Sequence, residues 1–370
     1  MATRKQASHS EVVLFTGFPG FIGARLIPRL LELQPHAVYK CLVQDKFLDQ
    51  AKASIKSLEH AHHHVRGRIQ VVVGDITRER LGLSAADAKA LQKELTSAHH
   101  LAAVYDLAVR RDVGERINVE GTKNVLEFLG DARKLDRLHY VSTAYVSGTA
   151  VGVYRESDLD VGQSFKNFYE ETKFLAEVEV VQSGLPCTIY RPGIVVGDSK
   201  TGETAKFDGP YFSLRAMSRL PSPGVFMKVG SGKSEINLVP VDFVVEALAR
   251  LSSVASSAGK TYHLTDPHPL SVYEVEEVFA RALGKSFVYT PVPMAVAKLV
   301  FAPALVQKAF GMPSQSLDYF DHPVHYDASE ATADLAALGV RCPRFGDYAQ
   351  RLVAFYKSKK EGQVRREAMI

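Results

Sequence analysis

A short apolar run, Val12 to Thr16, passes directly into Gly17-Phe18-Pro19-Gly20-Phe21-Ile22-Gly23, and this junction restricts the fold more than any other segment. A strand that meets glycines spaced this way must turn tightly. From Phe21 to Leu33 apolar residues then recur at helical spacing. In such a strand–turn–helix unit Gly17 permits the turn, Gly20 lets the backbone approach a bound group, and Gly23 lets helix pack on strand. Free N–H groups at the helix start favour an anion, so Thr16, Gly17, Phe18, Pro19, Gly20, Phe21 and Ile22 are expected to cradle the pyrophosphate of a dinucleotide.

The alternation continues along the chain. Val38–Val43, Ile69–Val73 and residues 101–104, 138–142 and 187–190 read as further strands. Helices are predicted near residues 51–58, 85–95, 119–129 and 168–181. Strands and helices alternating at this interval imply right-handed crossovers and a parallel sheet covered on both faces. The expected fold is therefore α/β: a Rossmann-like doubly wound sheet with a smaller C-terminal substrate-binding region. Residues 11–197 are assigned to the dinucleotide-binding domain, with the catalytic residues. Residues 198–235 and 268–325, where Gly and Pro interrupt the periodicity, are assigned to the substrate-binding region. Residues 236–267 are expected to return to the main sheet through strand-like stretches at 236–241 and Thr261–Leu264. C-terminal helices are expected over 326–358, with tails at 1–10 and 359–370.

Composition excludes several classes. A net charge of +4, from 45 basic and 41 acidic residues, lacks the stripe or cluster of a nucleic-acid binder. The basic runs lie at the ends: Arg4 and Lys5, then Lys357, Lys359, Lys360, Arg365 and Arg366. They read as solvated tails, with weak attraction to anionic lipid as the other reading. Cys41, Cys187 and Cys342 have no metal-ligand spacing and suit a reducing compartment. The first ten residues lack the apolar core of a secretory signal, and no stretch approaches the ~18 apolar residues of a membrane span. A cytoplasmic location without a transmembrane segment is expected. His60, His62, His63 and His64 include an i, i+4 pair, but no cysteine or carboxylate in the sequence clearly completes a set, so no metal is expected there.

Tyr169-Glu170-Glu171-Thr172-Lys173 puts Tyr169 and Lys173 on one face of a helix, one turn apart. A phenol with a pKa of ~10 moves protons poorly at neutral pH. A neighbouring ammonium favours the phenolate, which makes the pair a candidate for acid–base work on an oxygen. The pair follows a strand ending Tyr140-Val141-Ser142-Thr143-Ala144, so a hydroxyl from Thr143, or from its rival Ser142, stands ready to hydrogen-bond the same oxygen.

Together the G-x-x-G-x-x-G turn, Gly74-Asp75-Ile76 after the third strand, Leu101-Ala102-Ala103, Thr143, and Tyr169 with Lys173 resemble the extended short-chain dehydrogenase/reductase family. The resemblance covers about residues 11 to 265. It implies that Asp75 and Ile76 contact the adenine, that Ala102 and Ala103 pass the adenine ribose and nicotinamide, and that Arg191-Pro192-Gly193-Ile194 borders the nicotinamide. It further implies Lys173 on the nicotinamide ribose, Thr143 as the catalytic hydroxyl, and Asn118 in a structural role. At Leu42-Val43-Gln44-Asp45-Lys46, Gln44 stands where NADP-preferring relatives carry Arg. Asp45 would repel a 2′-phosphate and Lys46 would hold it; the resemblance favours NADPH over NADH.

Gly74-Asp75-Ile76-Thr77 with Leu81-Gly82-Leu83, His100-Leu101-Ala102-Ala103, Asn118-Val119-Glu120-Gly121-Thr122 and Val141-Ser142-Thr143 resemble the thioester reductase and fatty acyl-CoA reductase branch, the male-sterility type. This implies reduction of an acyl thioester, carried by coenzyme A or a carrier protein, to aldehyde or alcohol, with Tyr169 as proton donor. Other enzymes of the same fold are the alternatives: alcohol or hydroxysteroid dehydrogenases, ketone or aldehyde reductases, and nucleotide-sugar epimerases. A non-catalytic nicotinamide sensor is the remoter one, since such proteins usually lose the Tyr or the Lys. Family relatives often dimerise, so a homodimer is expected. Residues 293–319, apolar but broken by Pro303, Lys298 and Lys308, are expected either to close the core or to form an acyl-binding lid or shallow membrane contact. Residues 207–212 are a second expected wall near the nicotinamide.

Overall fold

Apolar runs bounded by turn residues become the strands of one sheet. In the computed structural model, which describes residues 11–303, 305–307, 312 and 314–359, seven strands pair in parallel throughout. They are β1 (Val12–Thr16), β2 (Val38–Val43), β3 (Ile69–Val73), β4 (Ser97–His100), β5 (Arg137–Val141), β7 (Cys187–Pro192) and β12 (Thr261–Leu264). Their order is β12-β7-β5-β4-β1-β2-β3, so the winding reverses between β1 and β4. In such sheets ligands bind beyond the carboxyl ends of the strands at that reversal. All five residues of β1 are buried, as expected of a central strand covered on both faces.

Two cores cover the sheet. On one face α1 (Gly23–Leu33) and α8 (Val241–Ser252) pack through Leu26, Ile27, Leu30, Val244 and Leu248. On the other, α3 (Ala85–Glu94), α5 (Gly121–Gly130) and α6 (Phe168–Gln182) pack through Leu91, Val125, Leu129, Ala176 and Val180. The short helix α4 (Arg111–Gly114) leads through a wide helical turn over Glu115–Glu120 into α5. Helix α2 (Leu48–Ala61) follows β2.

The fourth strand differs from the expectation. It is Ser97–His100, and residues 101–104 are the connection after it. Ser-Ala-His-His reads as polar, yet His99 and His100 are 2% and 1% exposed. His99 stacks on His139 with ring centroids 4.5 Å apart and on Phe15 at 5.9 Å. Burial pushes the His99 ring down to about 3, so it packs as a neutral aromatic.

The assignment of 236–241 to the main sheet is also corrected. Glu235–Ile236 (β10) pairs with Leu270–Ser271 (β13), and Leu238–Pro240 (β11) pairs with Ile194–Val196 (β8), each in a separate two-stranded sheet. Thr261–Leu264 does join the main sheet, at its edge. A third pair, Gly224–Val229 (β9) with Phe287–Val292 (β14), and a fourth, Gly152–Tyr154 (β6) with Val324–Tyr326 (β15), complete the strands. Helices α7 (Tyr211–Arg219), α9 (Val272–Leu283) and α12 (Phe345–Ser358) share one more core, built on Leu214, Met217, Phe279, Tyr348 and Leu352. Helix α11 (Ser329–Ala337) packs instead on the sheet core through Ala331 and Leu335.

One buried polar cluster pins these parts together. Arg191, 2% exposed, donates to Glu177 Oε1 through Nη2 at 2.6 Å and Nε at 2.9 Å. Its Nη1 donates to His263 Nε2 at 3.2 Å, while the His263 Nδ1–H donates to the Asp327 carbonyl at 2.7 Å. Glu156 accepts three backbone N–H groups, from His263, Glu330 and Ala331. Two of them open α11, so this carboxylate ties the loop after β6 to the sheet edge and to a helix start.

In the segment 293–319, α10 (Met294–Phe301) buries Ala297 and Phe301 and leaves Val296, Leu299 and Val300 exposed. The tails 1–10 and 360–370, with Arg4, Lys5, Lys360, Arg365 and Arg366, lie outside the described residues, as does Lys308. Among the described residues, no helix is long and apolar enough to cross a membrane.

Candidate active site

A cavity of about 1360 Å³ opens at the carboxyl ends of β1, β2, β4, β5 and β7. Its lining includes Thr16 to Ile22, Gln44, Lys46, Asp75, Ile76, Ala102, Ala103, Thr143, Tyr169, Lys173, Pro192, Gly193 and Ile194, but not Arg191, which is buried against Glu177 and His263.

The glycine turn has the geometry its sequence demands. Gly17 has φ of +91°, and a Cβ there would stand 2.9 Å from the Leu101 backbone. Thr16 ties the same two segments together. Its hydroxyl accepts from the Leu101 and Ala102 amides at 3.2 and 3.1 Å and donates to His100 Nδ1 at 2.7 Å. His100 Nε2–H donates to the Thr122 hydroxyl at 3.1 Å, which in turn donates to the Asn118 carbonyl at 2.6 Å. Helix α1 begins at Ile22 with no side-chain cap and no acidic residue in its first turn. An uncapped helix start with this turn before it fits a dinucleotide pyrophosphate.

At the adenine end, Asp75 turns back into its own loop, accepting from the Thr77 amide and hydroxyl at 2.9 Å each. Burial raises its carboxyl, but these bonds, with the Gln44 amide and Arg78, outweigh it and hold the group below the usual value. Arg25, Arg78 and Arg116 also line the cavity; the sequence reading did not single them out.

The catalytic candidates meet where α6 crosses the ends of β5 and β7. Asn167 caps α6 by accepting from the Glu170 amide at 3.0 Å, which fixes the first turn carrying Tyr169. Tyr169 is 8% exposed and Lys173 is 3% exposed. Lys173 Nζ donates to the Tyr140 hydroxyl at 2.9 Å and to the Val141 carbonyl at 3.0 Å. Burial lowers its ammonium to about 8, opposed by the charge of Glu177. The sequence predicts that this ammonium draws the Tyr169 phenol down. Instead burial dominates and pushes the Tyr169 hydroxyl above its usual value, against a hydrogen bond from Thr143. A protonated Tyr169 is a donor. Between the two hydroxyl candidates, Thr143 is the one whose hydroxyl counters the rise at Tyr169, and its Oγ1 accepts from the Tyr145 amide at 3.3 Å, while the buried Ser142 Oγ has no partner.

Asn118 holds the frame. Its Oδ1 accepts from the Val104 amide at 2.9 Å and its Nδ2 donates to Thr172 on α6 at 3.0 Å. Tyr140, the residue that holds Lys173, was legible as the strand residue before Val141-Ser142-Thr143, although nothing in its type announced the role.

The far side of the cavity is built differently from the expectation. Among the described residues of 293–319, Ser316 and Tyr319 line it, and none from α10 does. From 207–212, Asp208, Gly209, Pro210 and Phe212 line it, while Phe207 and Tyr211 turn into the core beneath. Tyr105, Tyr145, Lys206, Ser213, Glu276 and Phe320 complete this side. The Tyr319 hydroxyl donates to Glu170 at 2.7 Å and joins this wall to α6.

The histidine segment also differs from its reading. The fold brings Glu32, not visible as a neighbour in sequence, beside His62 and His64, with ligand atoms within 4.8 Å of one another. Glu32 pairs with Arg29, and His64 Nε2 bonds the Pro28 carbonyl at 3.1 Å.

Comparison with known proteins places this geometry. The NAD-binding family model described as male sterility protein matches residues 15–248. The isonitrile lipopeptide synthase of Streptomyces coeruleorubidus is 29% identical over 352 residues, 90% of this chain and 22% of its own length. The fatty acyl-CoA reductase wat of Drosophila melanogaster is 28% identical over 272 residues, 64% of this chain and 53% of its own. The solved terminal R domain from the myxalamid PKS-NRPS biosynthetic pathway superposes with a TM-score of 0.78 at 26% identity, covering 94% of this chain and 90% of that one. The chain thus spans about a fifth to about half the length of the two curated relatives.

Proposed function

The chain belongs to the male sterility family of NAD-binding, extended short-chain dehydrogenase/reductase proteins, and we propose that it reduces an acyl thioester, carried by coenzyme A or a carrier protein, to the aldehyde. One observation carries this reading: a single cavity is lined both by the glycine turn and by side chains of α7 and α9, with Thr143, Tyr169 and Lys173 in the same lining. The printed descriptions of the relatives, a fatty acyl-CoA reductase and the terminal R domain of a PKS-NRPS pathway, support the substrate class.

A bound reduced nicotinamide supplies the hydride. The chain's own residues prepare the other reactant. Thr143 Oγ1 and the Tyr169 hydroxyl donate to the thioester oxygen and stabilise the negative charge that gathers there. The Tyr169 proton passes to that oxygen, and cleavage of the C–S bond then releases aldehyde and thiol. In sum, thioester, reduced cofactor and one proton give aldehyde, thiol and oxidised cofactor. Lys173 would hold the nicotinamide ribose and, as an ammonium, would ease loss of the Tyr169 proton by stabilising the phenolate left behind. Buried walls keep water from the acyl carbon.

For cofactor choice we infer NADPH. Lys46 and Arg78 both line the end of the cavity beyond β2 and β3, and two cations there suit a 2′-phosphate. The test is NADPH and NADH consumption with a panel of acyl-CoAs and acylated carrier protein, alongside aldehydes, ketones and nucleotide sugars. Acyl-thioester-dependent oxidation with equal release of thiol is expected. Turnover confined to ketones, secondary alcohols or nucleotide sugars would remove the thioester assignment.

A further inference from the structure

Helix α9 places a carboxylate where an apolar wall would be expected. Glu276 is 2% exposed and lines the same cavity as Tyr169 and Lys173. Its Oε1 accepts from the Ser213 hydroxyl on α7 at 3.2 Å, and its Oε2 has no partner. Ser316, 6% exposed, lines the same cavity, and its Oγ has no partner either. The surroundings are apolar: Val272 and Val275 on α9, Phe212 on α7, and Phe320.

Buried polar atoms without partners are costly and uncommon. Leucine at position 276 would close the same wall without that cost. The neighbouring cation does not answer the need, because Lys228 is committed to Glu277 at 2.9 Å and lies over the rings of Tyr273 and Tyr289. Burial pushes the Glu276 carboxyl up to about 8, which lets it meet a neutral donor as an acid or a cationic donor as a carboxylate.

We propose that Glu276, with Ser213 and Ser316, forms a specificity subsite that binds a hydrogen-bond donor, an amino or hydroxyl group, on the part of the acyl chain remote from the thioester. This rests on the thioester reading for the identity of the chain's substrate. The preferred substrate is then a functionalised acyl group rather than a plain alkyl chain. A site that hydrogen-bonds a substrate group rejects the analogue lacking it, because the site's own polar atoms are left unpaired.

The experiment uses the full chain with NADPH and pantetheine thioesters of several chain lengths, each ending in an amine, a hydroxyl or a methyl group. Wild type is expected to favour the amine or the hydroxyl over the matched methyl by about tenfold or more in kcat/KM at the best length. Glu276→Leu is expected to reverse that order and to retain or raise turnover of the methyl series. Glu276→Gln separates the two donors: it lowers the preference for the amine and keeps that for the hydroxyl. Methyl chains processed as well as donor chains by wild type would overturn the subsite, as would a Glu276→Leu change that slows all three series equally. Binding of the matched amide analogues to the NADP-loaded protein reads the subsite without chemistry. Donor-selective binding with no thioester turnover would sink the reductase assignment and leave the subsite standing. Turnover or binding without donor selectivity would do the reverse.

Discussion

The two sides of the cavity are made by opposite means. The cofactor side is mostly backbone: a glycine turn, an uncapped helix start, and strand ends whose positions are set by a continuous ladder. The substrate side is mostly side chains, from α7, α9 and the short helical turn Ser314–Asp321, which are far apart in sequence. Backbone walls tolerate little change, since a clash with backbone cannot be relieved by rotating a bond. Side-chain walls can be refitted one residue at a time. The same frame can thus keep one cofactor while the opposite wall changes.

Tyr169→Phe tests the junction between the sides. It removes the proton donor and little else, so turnover should drop by about 10²–10⁴-fold while cofactor affinity in a fluorescence titration stays unchanged. Unchanged turnover would remove Tyr169 from the chemistry. Gly17→Ala attacks the backbone side. Positive φ and a Cβ 2.9 Å from the Leu101 backbone together predict a loss of about 2–5 kcal/mol in urea unfolding, along with weaker cofactor binding. Ser213→Ala on the opposite side leaves Glu276 Oε1 without its donor and should cost about 1–3 kcal/mol in the same assay. Equal losses would erase the contrast.

A fourth change reads out in pH. Lys173 is lowered to about 8 by burial, so it is an ammonium below that pH and neutral above it. Steps that need the ammonium should therefore weaken as pH rises through about 8. In Lys173→Arg, whose side chain keeps its charge, that limb should move up or vanish. A limb that stays in place belongs to another group. The smallest effect is expected from Arg78→Ala combined with Lys46→Ala: about a tenfold fall in the NADPH-to-NADH ratio of kcat/KM, with the NADH value nearly constant. A parallel loss for both cofactors would show that these cations hold something other than the 2′-phosphate.

Much of the cofactor side was legible because its signals are local. The apolar run before Gly17, the spacing of Tyr169 and Lys173, and β2 and β3 depend on residues adjacent in sequence. Where local signals misled, burial was the cause. Ser97–His100 reads as polar, but His99 and His139 form a neutral aromatic stack inside the sheet. Tyr169 was expected to feel Lys173 first, yet desolvation governs it. Glu276 and Ser316 carry no sequence signal at all. A glutamate in an amphipathic helix looks like any solvated one until the fold covers it.

By itself the sequence determined the parallel alternation of strand and helix, the glycine turn and the one-turn spacing of Tyr169 and Lys173, because strand alternation, glycine freedom and helical periodicity act over a few residues. The tertiary structure alone decided which segments form the far wall of the cavity, that the Thr143 hydroxyl rather than that of Ser142 acts on Tyr169, and that Arg191, Glu177 and His263 lock the frame. Those outcomes depend on burial and on contacts between residues far apart in the chain, and both of these arise only when the layers close.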